Sequence, residues 1–268
     1  MTTDTDGQGG PRGVPSWVET LQPDPAVARD FYGPVLGWEF RDAAGGDYLV
    51  ASDAGGDVAG IGRLPGAGGA PSPALWSTCV TGGDLDAVVA RAVAAGAALL
   101  LGPVERVGGR WAALVDPTGA AFGVLDVGGP DGVRSAPGSW MTSLHTPDPA
   151  AAGAFYREVF GWEPEPLGPG SPVTVLRLPG HTSGDPAAPR PDTVAVMTST
   201  ATGPGASAVP PHWSVNLRVA STDEVVRRTA ERGGRVLMPP VDTPGFRSAV
   251  LLDPQGAVFS VSQVVPAG

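Results

Sequence analysis

Few side chains in this 268-residue chain can do chemistry: three histidines, one cysteine, and 27 carboxylates against 17 cations. Glu19 alternates with Trp17 along a strand-like run, so the two share a face. A carboxylate facing a cavity there is suited to act as a base or an orienting acceptor. His145 closes another run, and an ordinary imidazole pKa of about 6.5 lets it give or take a proton. These two are the candidate catalytic groups. Seven Trp stand against three Tyr, and Trp17, Trp76, Trp140 and Trp213 all start strand-like runs. Indoles so placed can stack on a flat ligand and orient it through their N–H groups; they serve equally well as core or rim packing. Ser214 and Asn216 alternate on one strand and share a face, and Arg110 and Arg247 hold matching places suited to an anionic group or to a plain surface role. His145 ends one strand and His212 begins another, so nothing requires them to meet. His181 lies in the Gly-, Pro- and Ser-rich stretch 180–190 and is read as a solvated loop residue. Cys79, between Thr78 and Val80, is read as an inert buried thiol.

Other catalytic signatures are missing: no Gly-x-Ser-x-Gly elbow, no Cys-x-x-Cys and no Walker-type phosphate loop. A single cysteine makes no internal disulfide. The formal charge of −10, with no lysine and no basic stripe, argues against nucleic acid and anionic bilayers as partners. The longest apolar stretch, 87–101, is broken by Arg91 and Gly96 and falls short of the ~20 residues a spanning helix needs. Residues 1–14 lack the basic-then-apolar order of an export signal and read as a disordered tail, so a cytoplasmic protein is expected.

The elements that position these residues come in copies. Asp24-Pro-Ala-Val-Ala-Arg-Asp-Phe-Tyr32 followed by Leu36-Gly-Trp-Glu39 recurs as Asp148-Pro-Ala-Ala-Ala-Gly-Ala-Phe-Tyr156 followed by Phe160-Gly-Trp-Glu163. Trp76-Ser77-Thr78 recurs as Trp213-Ser214-Val215, and Leu114-Val-Asp-Pro-Thr-Gly119 with Phe122 recurs as Leu251-Leu-Asp-Pro-Gln-Gly256 with Phe259. The chain is therefore two homologous halves. Within each, the order strand, capped amphipathic helix and three strands occurs twice, giving βαβββ four times. The expected boundaries are a tail over 1–14, a first domain over 15–127, a linker over 128–138 and a second domain over 139–266.

The Asp-Pro-x-x-Ala-x-x-Phe-Tyr helix with its Gly-Trp exit, and the Asp-Pro-x-Gly-x-x-Phe hairpin, resemble the vicinal oxygen chelate superfamily of glyoxalases, bleomycin-resistance proteins and extradiol dioxygenases. The resemblance covers roughly residues 16–265, and it looks closest to two-domain actinobacterial members, some linked with antibiotic biosynthesis. It implies an α+β fold in which two βαβββ units per half curl into an incomplete barrel with a concave ligand face. In metal-using members, ligands sit on the first strand of each unit and on the last strand after the Asp-Pro-x-Gly turn. Those places fall on Trp17 or Glu19, Ser77 and Gly123 in the first half, and on Trp140 or Met141, Ser214 and Ser260 in the second. Neither half assembles three ligands, so no metal and no other cofactor is expected. The resulting expectation is metal-independent binding of a hydrophobic or aromatic secondary metabolite, by a monomer or homodimer. A cofactor-free isomerase, cyclase or lyase is the alternative, and a metal-dependent glyoxalase- or dioxygenase-type enzyme the second alternative.

Overall fold

A computed structural model describes residues 12–63, 74–106, 109–126, 135–201 and 210–265. The expected tail up to residue 11, the stretch 65–73 and most of the 128–138 linker lie outside these residues. The first half runs β1 (Pro15–Gln22), α1 (Pro25–Leu36), β2 (Glu39–Asp42), β3 (Tyr48–Asp53), β4 (Gly56–Arg63), β5 (Leu75–Thr81), α2 (Leu85–Ala94), β6 (Ala98–Arg106), β7 (Gly109–Val115) and β8 (Ala121–Asp126). The second runs β9 (Trp140–Thr146), α3 (Pro149–Phe160), β10 (Glu163–Pro166), β11 (Val173–Arg177), β12 (Thr193–Ser199), β13 (His212–Arg218), α4 (Thr222–Glu231), β14 (Arg235–Thr243), β15 (Phe246–Leu252) and β16 (Val258–Val264).

Local chemistry sets the helix ends. Asp24 and Asp148 accept from the first free backbone N–H groups of α1 and α3, with proline in the first turn, and Gly37 and Gly161 close both helices at φ of 74° and 78°. Asp84 and Ser221 cap α2 and α4 in the same way. Each half is one eight-stranded sheet, ordered β2-β3-β4-β1-β5-β8-β7-β6 and β10-β11-β12-β9-β13-β16-β15-β14. The antiparallel pairs β1–β5 and β9–β13 join two βαβββ units into each sheet. Gly13 and Val14, assigned from sequence to the tail, pair with Thr81, and Gly13 also accepts from Trp162 Nε1 at 2.6 Å.

The helix-bearing faces of the two sheets meet, so the core lies between the halves. One cluster joins α1 to residues of β13, β15 and β16; its counterpart joins α2 to α3 and β12. The repeated motifs meet there across the duplication. Trp76 Nε1 donates to Tyr32 Oη (3.0 Å), which donates to Asp253 Oδ2 (2.9 Å). Trp213, Tyr156 and Asp116 repeat the chain at 2.8 and 2.9 Å. Burial, then the adjacent carboxylate, pushes both phenols well above their usual pKa. The Phe-Tyr and Asp-Pro-x-Gly signatures thus lock the halves together. Among the described residues no helix is long and apolar enough to cross a membrane.

Candidate functional site

Among the described residues each sheet has one face without helices, and the two such faces differ. In β1 every residue from Trp17 to Gln22 is buried, and so is β5 after Leu75. From Thr142 through Thr146 in β9, and throughout β13, buried and half-buried residues alternate strictly. A strand alternates when only one of its faces is covered. The first helix-free face is therefore filled, and the second is the more exposed of the two, although Val175 and Ser262 on it are buried.

Register identifies equivalent positions. Thr20 pairs with Trp76 and Leu144 with Trp213, so Glu19 corresponds to Ser143, Trp17 to Met141, Leu21 to His145, and Cys79 to Asn216. The parallel partners Gly60 and Val196 correspond, as do Gly62 and Thr198. Tyr48 then matches Val173, Trp111 matches Ser248, Gly123 matches Ser260, and Leu125 matches Ser262. Trp17, Tyr48, Trp111 and Leu125 thus give way to Met141, Val173, Ser248 and Ser262, while Gly60, Gly62 and Gly123 give way to Val196, Thr198 and Ser260.

The filling of the first face is one connected group. Trp17, Tyr48, Val50, Cys79, Trp111 and Leu125 form a buried cluster. Trp17 Nε1 donates to Tyr48 Oη at 2.9 Å, Tyr48 Oη donates to Glu19 Oε2 at 3.0 Å, and Arg106 Nη1 donates to Glu19 Oε1 at 3.0 Å. The Arg106 guanidinium lies 4.4 Å from the Trp111 ring centroid and 5.4 Å from that of Tyr48. Glycines make room: a Cβ on Gly123 would meet Cys79 Sγ at 2.6 Å and Trp111 Nε1 at 2.9 Å. Burial, then Glu19, pushes the Cys79 thiol and the Tyr48 phenol up. Glu19 does lie on the helix-free face, but at 2% exposure and paired with a guanidinium it is out of reach of a ligand.

The second face gathers His145, Ser214, Asn216 and Ser143 with Thr198, Ser248, Ser260 and Arg218, all half-buried. His145 Nε2 is 3.0 Å from Ser214 Oγ and its Nδ1 is 3.0 Å from Thr198 Oγ1, so both ring nitrogens are engaged. Ser262 Oγ donates to Asn216 Oδ1 at 2.7 Å, which leaves the Asn216 amide N–H groups to offer a ligand. His145 and His212 do meet: their rings stack at 4.6 Å, because antiparallel pairing sets the end of β9 against the start of β13. Burial, then the second imidazole, pulls the His145 pKa down to about 4.

That depression has a measurable consequence. The unfolded ring charges near pH 6.5 and the folded one only near 4, so between those values the unfolded chain binds more protons. Stability from this group is complete above about pH 6.5 and is lost as the pH falls towards 4, by on the order of 2 kcal/mol after allowance for partial solvent screening. Urea unfolding at pH 7 and pH 4.5 is expected to show a smaller acid loss for His145→Asn than for the parent chain. Equal losses would contradict the assignment.

The remaining sequence candidates lie elsewhere. Trp76 and Trp213 are buried on the helix-bearing faces in the Tyr32 and Tyr156 chains, one residue out of phase with the open face. Trp140 packs against the core shared by the halves, and Met141 takes the position equivalent to Trp17. Trp17 is on a helix-free face, inside the filled one. Arg110 pairs with Asp86 in the first turn of α2, and Arg247 pairs with Asp223 in the first turn of α4 and with Asp242, so neither guanidinium is turned to the open face. His181 is half-buried and lines a cavity of about 280 Å³ with Ser16, Met141 and Asp185. Sequence reasoning missed Thr198, Ser248 and Arg218; strand-by-strand comparison of the two halves was the signal available for them.

The metal-using relatives described above raise the question of a divalent ion, and the donors present do not fit one. In the first half Gly123 offers no donor atom, Trp111 and Cys79 crowd it, and Glu19 is held by Arg106. In the second half Ser143, Ser214 and Ser260 offer neutral hydroxyls, which are weak ligands beside one engaged imidazole. Among the described residues no three His, Cys, Asp or Glu side chains are grouped to hold a metal.

Two sheets of paired βαβββ units, tied through these motifs, define the class. The glyoxalase-like domain model matches residues 17–125 and again 141–262, and the chain belongs to that family, within the vicinal oxygen chelate superfamily. Among curated proteins it is similar to the anthracycline biosynthesis protein DauV of Streptomyces sp. (strain C5), at 36% identity over 271 aligned positions covering 94% of each chain. Among solved structures it is similar in fold to the Mn(II)-bound glyoxalase from Novosphingobium aromaticivorans, with a TM-score of 0.62, 18% identity, and coverage of 95% of this chain and 83% of that one. It is likewise similar to the 2,3-dioxygenase LapB from Pseudomonas sp. KL28, with a TM-score of 0.60, 13% identity, and coverage of 96% and 94%.

Proposed function

We propose that this chain binds a hydrophobic or aromatic small molecule of secondary metabolism on the helix-free face of its second half, without a metal. The observation that carries this reading is the contrast between the faces: equivalent positions hold Trp17, Tyr48, Trp111 and Leu125 in one and Met141, Val173, Ser248 and Ser262 in the other. A surface lined by valine and methionine beside serine, asparagine and imidazole suits a flat ligand with several oxygens. Similarity over nearly the whole length to an anthracycline biosynthesis protein supports a ligand of that general kind.

A second reading, acid–base catalysis without a cofactor, draws on the 3.0 Å contact between His145 Nε2 and Ser214 Oγ. The Nδ1 of His145 meets the neutral Thr198 hydroxyl rather than an orienting carboxylate, and burial makes the imidazole a weak base, which favours binding over chemistry. Calorimetric titration against a panel of aromatic polyketides, followed by mass analysis, separates the two. Saturable binding with the ligand recovered unchanged is expected. Product that disappears in His145→Ala would favour the enzyme, and no saturable binding by any panel member would overturn the proposal.

A further inference from the structure

The second half carries an insertion that the first lacks. Ala54 and Gly55 join β3 to β4, whereas residues 178–192 separate β11 from β12. The insertion is tied at its base, where Leu178 N donates to Asp192 O at 3.0 Å and Ser183 N to Pro191 O at 2.8 Å. It reaches the end of the open face through Asp185, whose Oδ2 lies 3.4 Å from Arg218 Nη2. Arg218 stands where the first half has Thr81, so no cation occupies that place in the filled face.

This guanidinium is poorly matched. Its side chain is 15% exposed and that of Asp185 8%. Nη1 donates to Ser262 Oγ at 2.7 Å, the ring of Phe246 lies 4.7 Å away, and Nε is buried without a partner. A charge-assisted bond between guanidinium and carboxylate normally closes to about 2.7–2.9 Å, often through two parallel N–H groups. Arg106, the buried cation of the other half, reaches Glu19 at 3.0 Å. Among the described residues Asp185 is the one carboxylate within 4 Å of Arg218. A desolvated arginine whose one carboxylate contact is long is costly, and a closer carboxylate would relieve it.

We propose that Arg218 anchors a carboxylate on the ligand of the second face, and that Asp185 of the insertion holds the guanidinium loosely until that carboxylate replaces it. The proposal rests on the reading that the second face binds a small aromatic molecule. Ser214, Asn216 and Arg218 lie on one side of β13, with Ser214 and Arg218 roughly 13 Å apart along the strand. A fused three-ring aromatic with an acid at one end spans that distance. Its carboxylate can face Nε and Nη2 together, in the fork geometry that arginine presents. Asp185 sits on a connection between strands, so its displacement breaks no sheet pairing.

The test is calorimetric titration of the full chain with anthraquinone-2-carboxylate and with the corresponding primary carboxamide. The carboxylate is expected to bind about tenfold more tightly. Asp185→Asn should strengthen carboxylate binding several-fold by removing the competitor. The double exchange Arg218→Gln with Asp185→Asn, which leaves no lone buried charge, should bring the carboxylate down to the affinity of the carboxamide. Equal affinities in the parent chain, or a preference that survives the double exchange, would overturn the proposal while leaving the binding reading intact. Failure of both probes to bind would overturn this proposal, and the binding reading would then be decided by the polyketide panel.

Discussion

Ser248→Trp is expected to weaken ligand binding about 100-fold, equivalent to roughly 2.7 kcal/mol, while the chain stays folded. Ser248 occupies the position that Trp111 holds in the first half, and Trp111 is 4% exposed, packed with Trp17, Cys79 and Leu125. An indole at 248 would build across the open face what the first half already has. Ser248 is half-buried on a face without helices, so the larger side chain does not press into the core. Calorimetry with the best ligand of the panel reads the affinity, and circular dichroism reads the fold. An unchanged affinity would place the ligand elsewhere.

The second large effect is on stability. Arg106→Met is expected to lower the unfolding free energy by about 3 kcal/mol, because it strands the Glu19 carboxylate in a buried cluster with the Tyr48 hydroxyl and a weak contact to the Cys79 thiol left to it. The double exchange Glu19→Leu with Arg106→Met removes both charges and should recover most of that loss, since a buried pair contributes little beyond an apolar filling of similar volume. Affinity for ligand in the double variant should stay within about twofold, as both residues belong to the filled face. Urea unfolding decides the first part. A mild single exchange, or a double variant that no longer binds, would contradict the division between the two faces.

The duplication and the order of elements are legible in the sequence because capping, turn and aromatic motifs repeat at local spacing. Which face a residue occupies is a different matter. Trp17 and Trp76 both begin strands, yet the pairing of Trp76 with Thr20 sets them on opposite sides of one sheet. A shift of one residue reverses the face. That shift also settles the alignment of the halves, matching Trp17 to Met141 rather than to Trp140. Glu19 is legible as a strand residue facing inwards, but its partner Arg106 is 87 positions away, and only the folded sheet brings them together. The contact between His145 and His212 is hidden for the same reason, since it depends on which strands pair and in which direction. Arg218 gives no local signal at all; its interest arises from a neighbour in an insertion that composition marks only as a polar loop.

The most direct measurement follows backbone amide resonances of the isotopically labelled chain during titration with an aromatic polyketide. Saturable shifts are expected along β9, β13, β15 and β16, centred on Ser143, Ser214, Asn216 and Ser248, with β1, β5 and β7 unmoved. Shifts centred on Glu19, Cys79 and Trp111 instead would contradict the account, because they would put the ligand in the face that the protein's own side chains fill.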